Sequence, residues 1–149
     1  MDSYEQYERE CKIIRKENEK LLTVFERWLS DKKLSMKTID KHLLNVDFYV
    51  NHFLLYEDTI EAADGASEIG MFLGYWFIRK AMWASKTAIK ENATSLKKFY
   101  QFIFETGKIS KKSFEDLKET IKKDMPEWLA TMERYDNPDI EDPEEIWGF

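Results

Sequence analysis

Residues 35–53 read Ser-Met-Lys-Thr-Ile-Asp-Lys-His-Leu-Leu-Asn-Val-Asp-Phe-Tyr-Val-Asn-His-Phe, and the spacing of their apolar side chains decides the fold class. Ile39, Leu43, Val46, Val50 and Phe53 recur at steps of three and four, the period of one face of an α-helix. Ser35 stands where an N-cap belongs, with a hydroxyl able to accept from the open N–H groups of the first turn. The pattern predicts a helix from there to about Tyr56. On another face Lys37, Lys41 and Asn45 recur at steps of four with Thr38 beside them, a short basic stripe.

Upstream, Tyr4, Tyr7, Cys11, Ile14, Leu21, Phe25 and Trp28 keep the same period from Ser3 to about Asp31, broken only by Asn18. This is a long amphipathic first helix. Its first half carries mixed charge outside, which suits a helix packed on its own domain, the alternative being an arm that binds a partner. Downstream, residues 57–67 hold two cap candidates, Thr59 and Ser67, and Gly65, and read as a single helical turn with a loop. A third helix is expected over about 68–82, where Ile69, Met71, Phe72, Leu73, Tyr75, Trp76, Phe77 and Ile78 make it apolar almost all round, fit for the middle of a bundle. Its apolar run is too short for a membrane span and is closed by Arg79 and Lys80.

Ser85 is placed to cap a fourth helix that ends at Gly107, with Ile89, Ala93, Leu96, Tyr100 and Ile103 facing in. Lys86, Lys90 and Lys97 project from another side together with Thr94, a second basic stripe. Ser110 caps a fifth helix to about Lys123 with Phe114, Leu117 and Ile121 inward, and Pro126, behind the cap candidate Asp124, opens a short sixth one containing Trp128, Leu129 and Met132. The expected architecture is all-α: a bundle of five to six helices in residues 1–136, with residues 137–149 as an acidic, Pro-punctuated tail. Helices two and four share a format of Ser cap, early Lys and apolar stripe, although no repeat recurs at longer range.

Composition agrees. Five Gly and three Pro in 149 residues are too few turn residues for a β-rich domain of this size. The lone Cys11 cannot form an intramolecular disulfide, and the start Met1-Asp2-Ser3 is no signal peptide, so a soluble cytoplasmic protein is expected. His42 and His52 lack the spacing of metal ligands, and neither a metal nor another cofactor is expected. The net charge of −6 argues against a nucleic-acid partner only as an average. Residues 125–149 hold eight acids against Arg134 alone, which leaves the remainder near neutral and able to carry a basic face. No Gly-rich phosphate loop and no Gly-x-Ser-x-Gly is present, and Trp76, Phe77 and Trp83 read as bundle core.

Leu34-Ser35-Met36-Lys37-Thr38-Ile39, followed by an apolar helix, resembles the "LS-x-x-TI" opening of the N-terminal, SAM-like core-binding domain of tyrosine recombinases, the phage integrases. Ser85-Lys86-Thr87-Ala88-Ile89 and the run from Ser95 to Ile109, with its Phe99-Tyr100 and Gly107, resemble a later helix of the same domain. The resemblance covers roughly residues 22–109. It implies a SAM-like helical bundle that forms half of a clamp on double-stranded DNA, and it points to the first turns of helices two and four: Lys37, Thr38 and Lys41, and Ser85, Lys86 and Lys90. Open N–H groups at helix starts and lysines one turn apart suit a phosphate backbone.

The same family cuts DNA through a separate C-terminal domain with a Tyr nucleophile and a His-x-x-Arg motif. Here no His follows His52, and neither His42 nor His52 begins such a motif. The expectation is a non-catalytic DNA-binding protein with an accessory or regulatory part in recombination or integration, its acidic tail folding over the basic stripes as a mimic of DNA. The alternative is a protein interaction module that pairs with a recombinase or with itself, through helix one or through Trp147 and Phe149, without touching DNA.

Overall fold

The structure is a computed structural model that describes residues 2–136. Five helices form an all-α bundle: α1 (Ser3–Asp31), α2 (Met36–Phe48), α3 over 69–80, α4 (Lys86–Glu105) and α5 (Lys111–Asp136). The expected tail, 137–149, lies outside the described residues.

Ser35 and Ser85 cap as expected: their hydroxyls accept from the backbone N–H of Thr38 at 3.2 Å and of Ala88 at 3.0 Å. Ser110 does the same for Ser113 at 3.1 Å. Thr59 and Ser67 cap nothing. Thr59 instead donates its hydroxyl to Glu10 on α1, and Ser67 lies inside a 3₁₀ turn, Ala62–Glu68. Gly107 takes φ +77°, while its own N–H and that of Lys108 bond back to Phe104 and Ile103, so the chain leaves α4 through a left-handed residue that glycine adopts without a Cβ clash.

Three boundaries differ from expectation. α2 does not run evenly to Tyr56: after Phe48 it widens into a π-helical turn, Tyr49–Phe53, in which the N–H of Leu54 reaches back to the carbonyl of Tyr49. The extra residue lets Leu54 and Leu55 both bury, which an unbroken α-helix continuing the Val46–Val50 stripe would not do. α3 is a composite, with a π turn at Phe72–Trp76 between α-helical ends. It sits in the core on one side only: Ile69, Phe72, Leu73, Phe77 and Ile78 are buried, whereas Met71 and Tyr75 are exposed. The expected fifth and sixth helices are one helix, with Pro126 inside it. Phe114, Leu117, Ile121, Trp128 and Met132 are buried along one stripe through the proline, and that shared burial outweighs the roughly 3 kcal/mol that an interior proline costs.

The core is aromatic at its centre. Phe72 lies with its ring centroid 4.9 Å from those of Tyr49 and Phe53, and Tyr49 and Tyr100 donate their buried hydroxyls to the carbonyls of Gly65 and Ala62. Burial pushes both phenols far above the ordinary tyrosine range, so they stay protonated donors.

The first half of α1 is packed on its own domain. Tyr7 donates its hydroxyl to the carbonyl of Leu55, and Cys11, Ile14 and Leu55 form a small satellite core. Asn18, the break in the apolar stripe, is buried and donates to the carbonyl of Val50 at 3.3 Å and to the side chain of Asn51 at 2.8 Å. It pins α1 to the π turn that ends α2.

Candidate nucleic-acid interface

The two sets of expected contact residues belong to helices that pack on each other. Lys41 joins Glu91 at 3.0 Å. One turn on, His42 Nδ1 and Asn45 Nδ2 meet the hydroxyl of Ser95 at 2.8 and 3.0 Å. Further along, the ring of Tyr49 meets that of Tyr100 edge-on. The contacts advance in the same direction along both helices, so α2 and α4 run in the same sense and their capped starts leave the contact on the same side.

The contact is tight because its buried side chains are small or matched. Ile39 and Ile89, Val46 and Leu96 fill the apolar part, while buried Asn92 bonds the carbonyl of Ala88 on its own helix. Ser95 accepts from Asn45 and also bonds His42 Nδ1, which leaves Nε2 as the ring nitrogen outside this cluster. That nitrogen is buried and has no hydrogen-bond partner among the described residues. Burial, with Lys98 and Lys41 adding to it, holds the His42 pKa below its ordinary value of 6.5.

Each candidate residue then has a definite place. Lys37 and Lys90 are exposed and, among the described residues, have no ion pair. Lys41 is paired with Glu91, and Lys86 with Glu133 of α5 at 3.2 Å. Thr38 is half-buried and accepts from the Ser35 hydroxyl at 3.0 Å, and Ser85 is half-buried as the cap of α4. The two caps occupy the N–H groups of Thr38 and Ala88, and Ile39 and Ile89 bond the carbonyls of Ser35 and Ser85. The N–H groups left open at the helix starts are those of Met36 and Lys37, and of Lys86 and Thr87.

Four ammonium groups therefore flank two open helix starts, two of them with a carboxylate already at hand. Both pairs are well exposed, with side chains between 39% and 70% accessible, so they hold weakly and exchange readily for another anion.

The sequence pattern places Trp83 in the core, and the structure corrects that. Phe77 is buried and Trp76 half-buried, but Trp83 is 59% exposed and packs edge-on against the ring of Phe48 with centroids 5.1 Å apart. The residue follows Ala81, where α3 has ended in extended backbone, so no helical face carries it inward. Periodicity is uninformative there because the segment between the two helices has none.

Elsewhere, a cleft of about 750 Å³ between α1 and α2 is lined by Glu19, Glu26, Asp40, Asp47 and Arg15. Among the described residues no group of three or more His, Cys, Asp or Glu is placed to hold a metal ion, and no helix is long and apolar enough to cross a membrane. No protein-family model, no curated protein and no solved structure matches the chain.

Proposed function

We propose that this protein binds double-stranded DNA through the starts of α2 and α4 without cutting it, in an accessory or regulatory role of the kind its likeness to recombinase core-binding domains suggests. The observation that supports the reading is that the two helices run in the same sense through the Lys41–Glu91 and Asn45–Ser95 contacts, so that both first turns, with Lys37 and Lys86 and their open N–H groups, belong to the same end of the α2–α4 pair. A helix start offers directed donors and a positive dipole end to a phosphate, and the lysines add charge that releases counterions from the duplex. Such contacts position a protein on the backbone and read little sequence.

Glu91 and Glu133 act against this reading, because each competes for one lysine. Exposed pairs of this kind are worth about 1 kcal/mol or less, so phosphates can displace them at low salt. The test is fluorescence anisotropy of a labelled duplex titrated with the full chain across a salt series. Binding is expected to weaken steeply with salt, and the Lys37→Ala, Lys90→Ala double variant to flatten the slope of log K against log salt by up to about 0.9 for each phosphate that these lysines neutralise. Absence of binding at 20–50 mM salt, taken as roughly the most permissive range for a phosphate-driven complex, removes the proposal.

A second reading, a protein interaction module, is favoured by one observation. Leu44 on α2 is 71% exposed and Met82, next to the 59% exposed Trp83, is 99% exposed, and such side chains are what a partner surface could cover.

A further inference from the structure

The exposed apolar side chains are not scattered. Of the five most exposed large ones among the described residues, Met82 at 99%, Leu44 at 71%, Met36 at 66% and Trp83 at 59% fall on one strip, the fifth being Tyr4 at the start of α1. Met36, Asp40, Leu44 and Phe48 follow one another along α2 at steps of four, so that each side chain stands beside the next. Phe48 carries the strip across to the segment after α3, where its ring centroid lies 5.1 Å from that of Trp83.

The two sides of this strip differ in charge. On one side of Leu44 lies the cleft between α1 and α2, where Leu22 and Leu43 stand among Glu19, Glu26 and Asp40. Those three carboxylates are exposed and enter no ion pair among the described residues, and the one cation of the lining, Arg15, bonds the carbonyl of Asn51. On the other side Met82 and Trp83 form a knob between Lys80 and Lys86, each three residues from Trp83. The cleft is apolar within an anionic rim, and the knob is apolar between cations. Two other clefts lack that character: along α1 and the end of α4, Glu17 and Glu61 are balanced by Lys20 and Lys108, and beside Trp128 the carboxylate of Glu127 is held by Arg134.

We infer that a second copy of this chain covers the strip in a two-fold pair, with Met82 and Trp83 of each copy entering the α1–α2 cleft of the other and Lys80 and Lys86 facing its carboxylates. Knob and cleft adjoin across Leu44 and Phe48, so an axis through that row sets each opposite its complement. Both contacts then form at once, which closes the assembly at two. The apolar contact drives association and the charges fix its register. The inference rests on the interaction reading of Leu44 and Met82 and is independent of DNA binding.

The experiment measures the mass of the full chain by sedimentation equilibrium at concentrations up to roughly 1 mM. The mass is expected to rise from the 17.9 kDa of one chain to twice that value. Leu44→Asp is expected to weaken pairing roughly tenfold or more, whereas Ile13→Asp, two residues from Arg15 and so on the opposite side of α1, leaves it unchanged. Met82→Asp and the double variant Glu19→Lys, Glu26→Lys each damage both contacts of their own pair. Mixed, they keep one intact contact and are expected to pair more tightly than either alone. A mixture no heavier than its components overturns the reciprocal contact, a mass climbing past two chains overturns closure, and an equal loss in Ile13→Asp overturns the assigned surface. A chain that stays single throughout overturns the inference as a whole. The interaction reading is then decided separately: it stands if a synthetic amphipathic helix of Leu and Lys moves the Leu43 and Leu44 methyl signals, and falls if it does not.

Discussion

The contact between the first half of α2 and α4 and the aromatic cluster around its second half are built from opposite chemistry. The first closes on itself. His42 and Asn45 both meet the Ser95 hydroxyl, Lys41 takes Glu91, and what remains outside is a set of ammonium groups. The second overflows: more rings crowd around Phe72 than the interior can hold, so Phe48, Tyr56 and Trp83 are left partly or largely in solvent. One helix thus presents a surface that attracts anions along its first turns and a surface that attracts rings and methyls further on. A polar contact sets direction and is worth little energy, whereas the cluster supplies the energy and leaves a surplus.

Phe72 and Trp83 measure that contrast most sharply. Phe72→Ala removes a fully buried ring and is expected to cost about 3–5 kcal/mol in urea unfolding, while Trp83→Ala, at the rim of the same cluster, is expected to change stability by less than about 1 kcal/mol. Equal losses would mean that the rim is part of the core. Next in size, a Cβ on Gly65 would stand 2.5 Å from Leu54 Cδ1 and 2.8 Å from the Tyr100 hydroxyl, which is held by Ala62. Gly65→Ala is therefore expected to destabilise by roughly 1–3 kcal/mol, seen as a lower urea midpoint.

The polar contact is tested by pH. With the folded pKa of His42 held below the ordinary 6.5 by burial, the unfolded chain takes up the proton first as pH falls. Stability is then full above about pH 6.5 and declines as pH drops from there toward the lowered folded value, below which this loss is complete. His42→Gln should flatten the curve of unfolding free energy against pH over that window, and an unchanged curve would show that the ring titrates freely. Smallest of all, Lys41→Ala is expected to cost about 0.2–1 kcal/mol, no more than Glu91→Ala, with the two non-additive in a double-mutant cycle.

Much of this architecture is legible in residue order. The three Ser caps, the glycine exit from α4 and the apolar stripes of α2, α4 and the first part of α5 each rest on a local rule, and local rules are sufficient for them. The misses fall where tertiary packing overrides local preference. Pro126 reads as a helix start, yet Trp128 and Met132 continue the stripe of Ile121, and the core rewards continuity. The π turns at Tyr49–Phe53 and Phe72–Trp76 leave no mark on a period-3.6 pattern, because one inserted residue only rotates the downstream face about the helix axis. Asn18 looks like a fault in α1 and is a bonded anchor, a role that depends on which carbonyl lies opposite. At the candidate interface, the residue types and caps can be read from the chain, but the carboxylates that hold Lys41 and Lys86 come from other helices, 50 residues away in the first case. No spacing rule could have announced them.

The single thiol has a consequence of its own. Cys11 is sealed between the first half of α1 and Leu55, under the ring of Tyr7, and a reagent that alkylates sulfur can reach it only when that half of the helix lifts away. The chain therefore carries a built-in clock: the labelling rate under native conditions counts how often the α1 arm detaches, separately from unfolding of the main core.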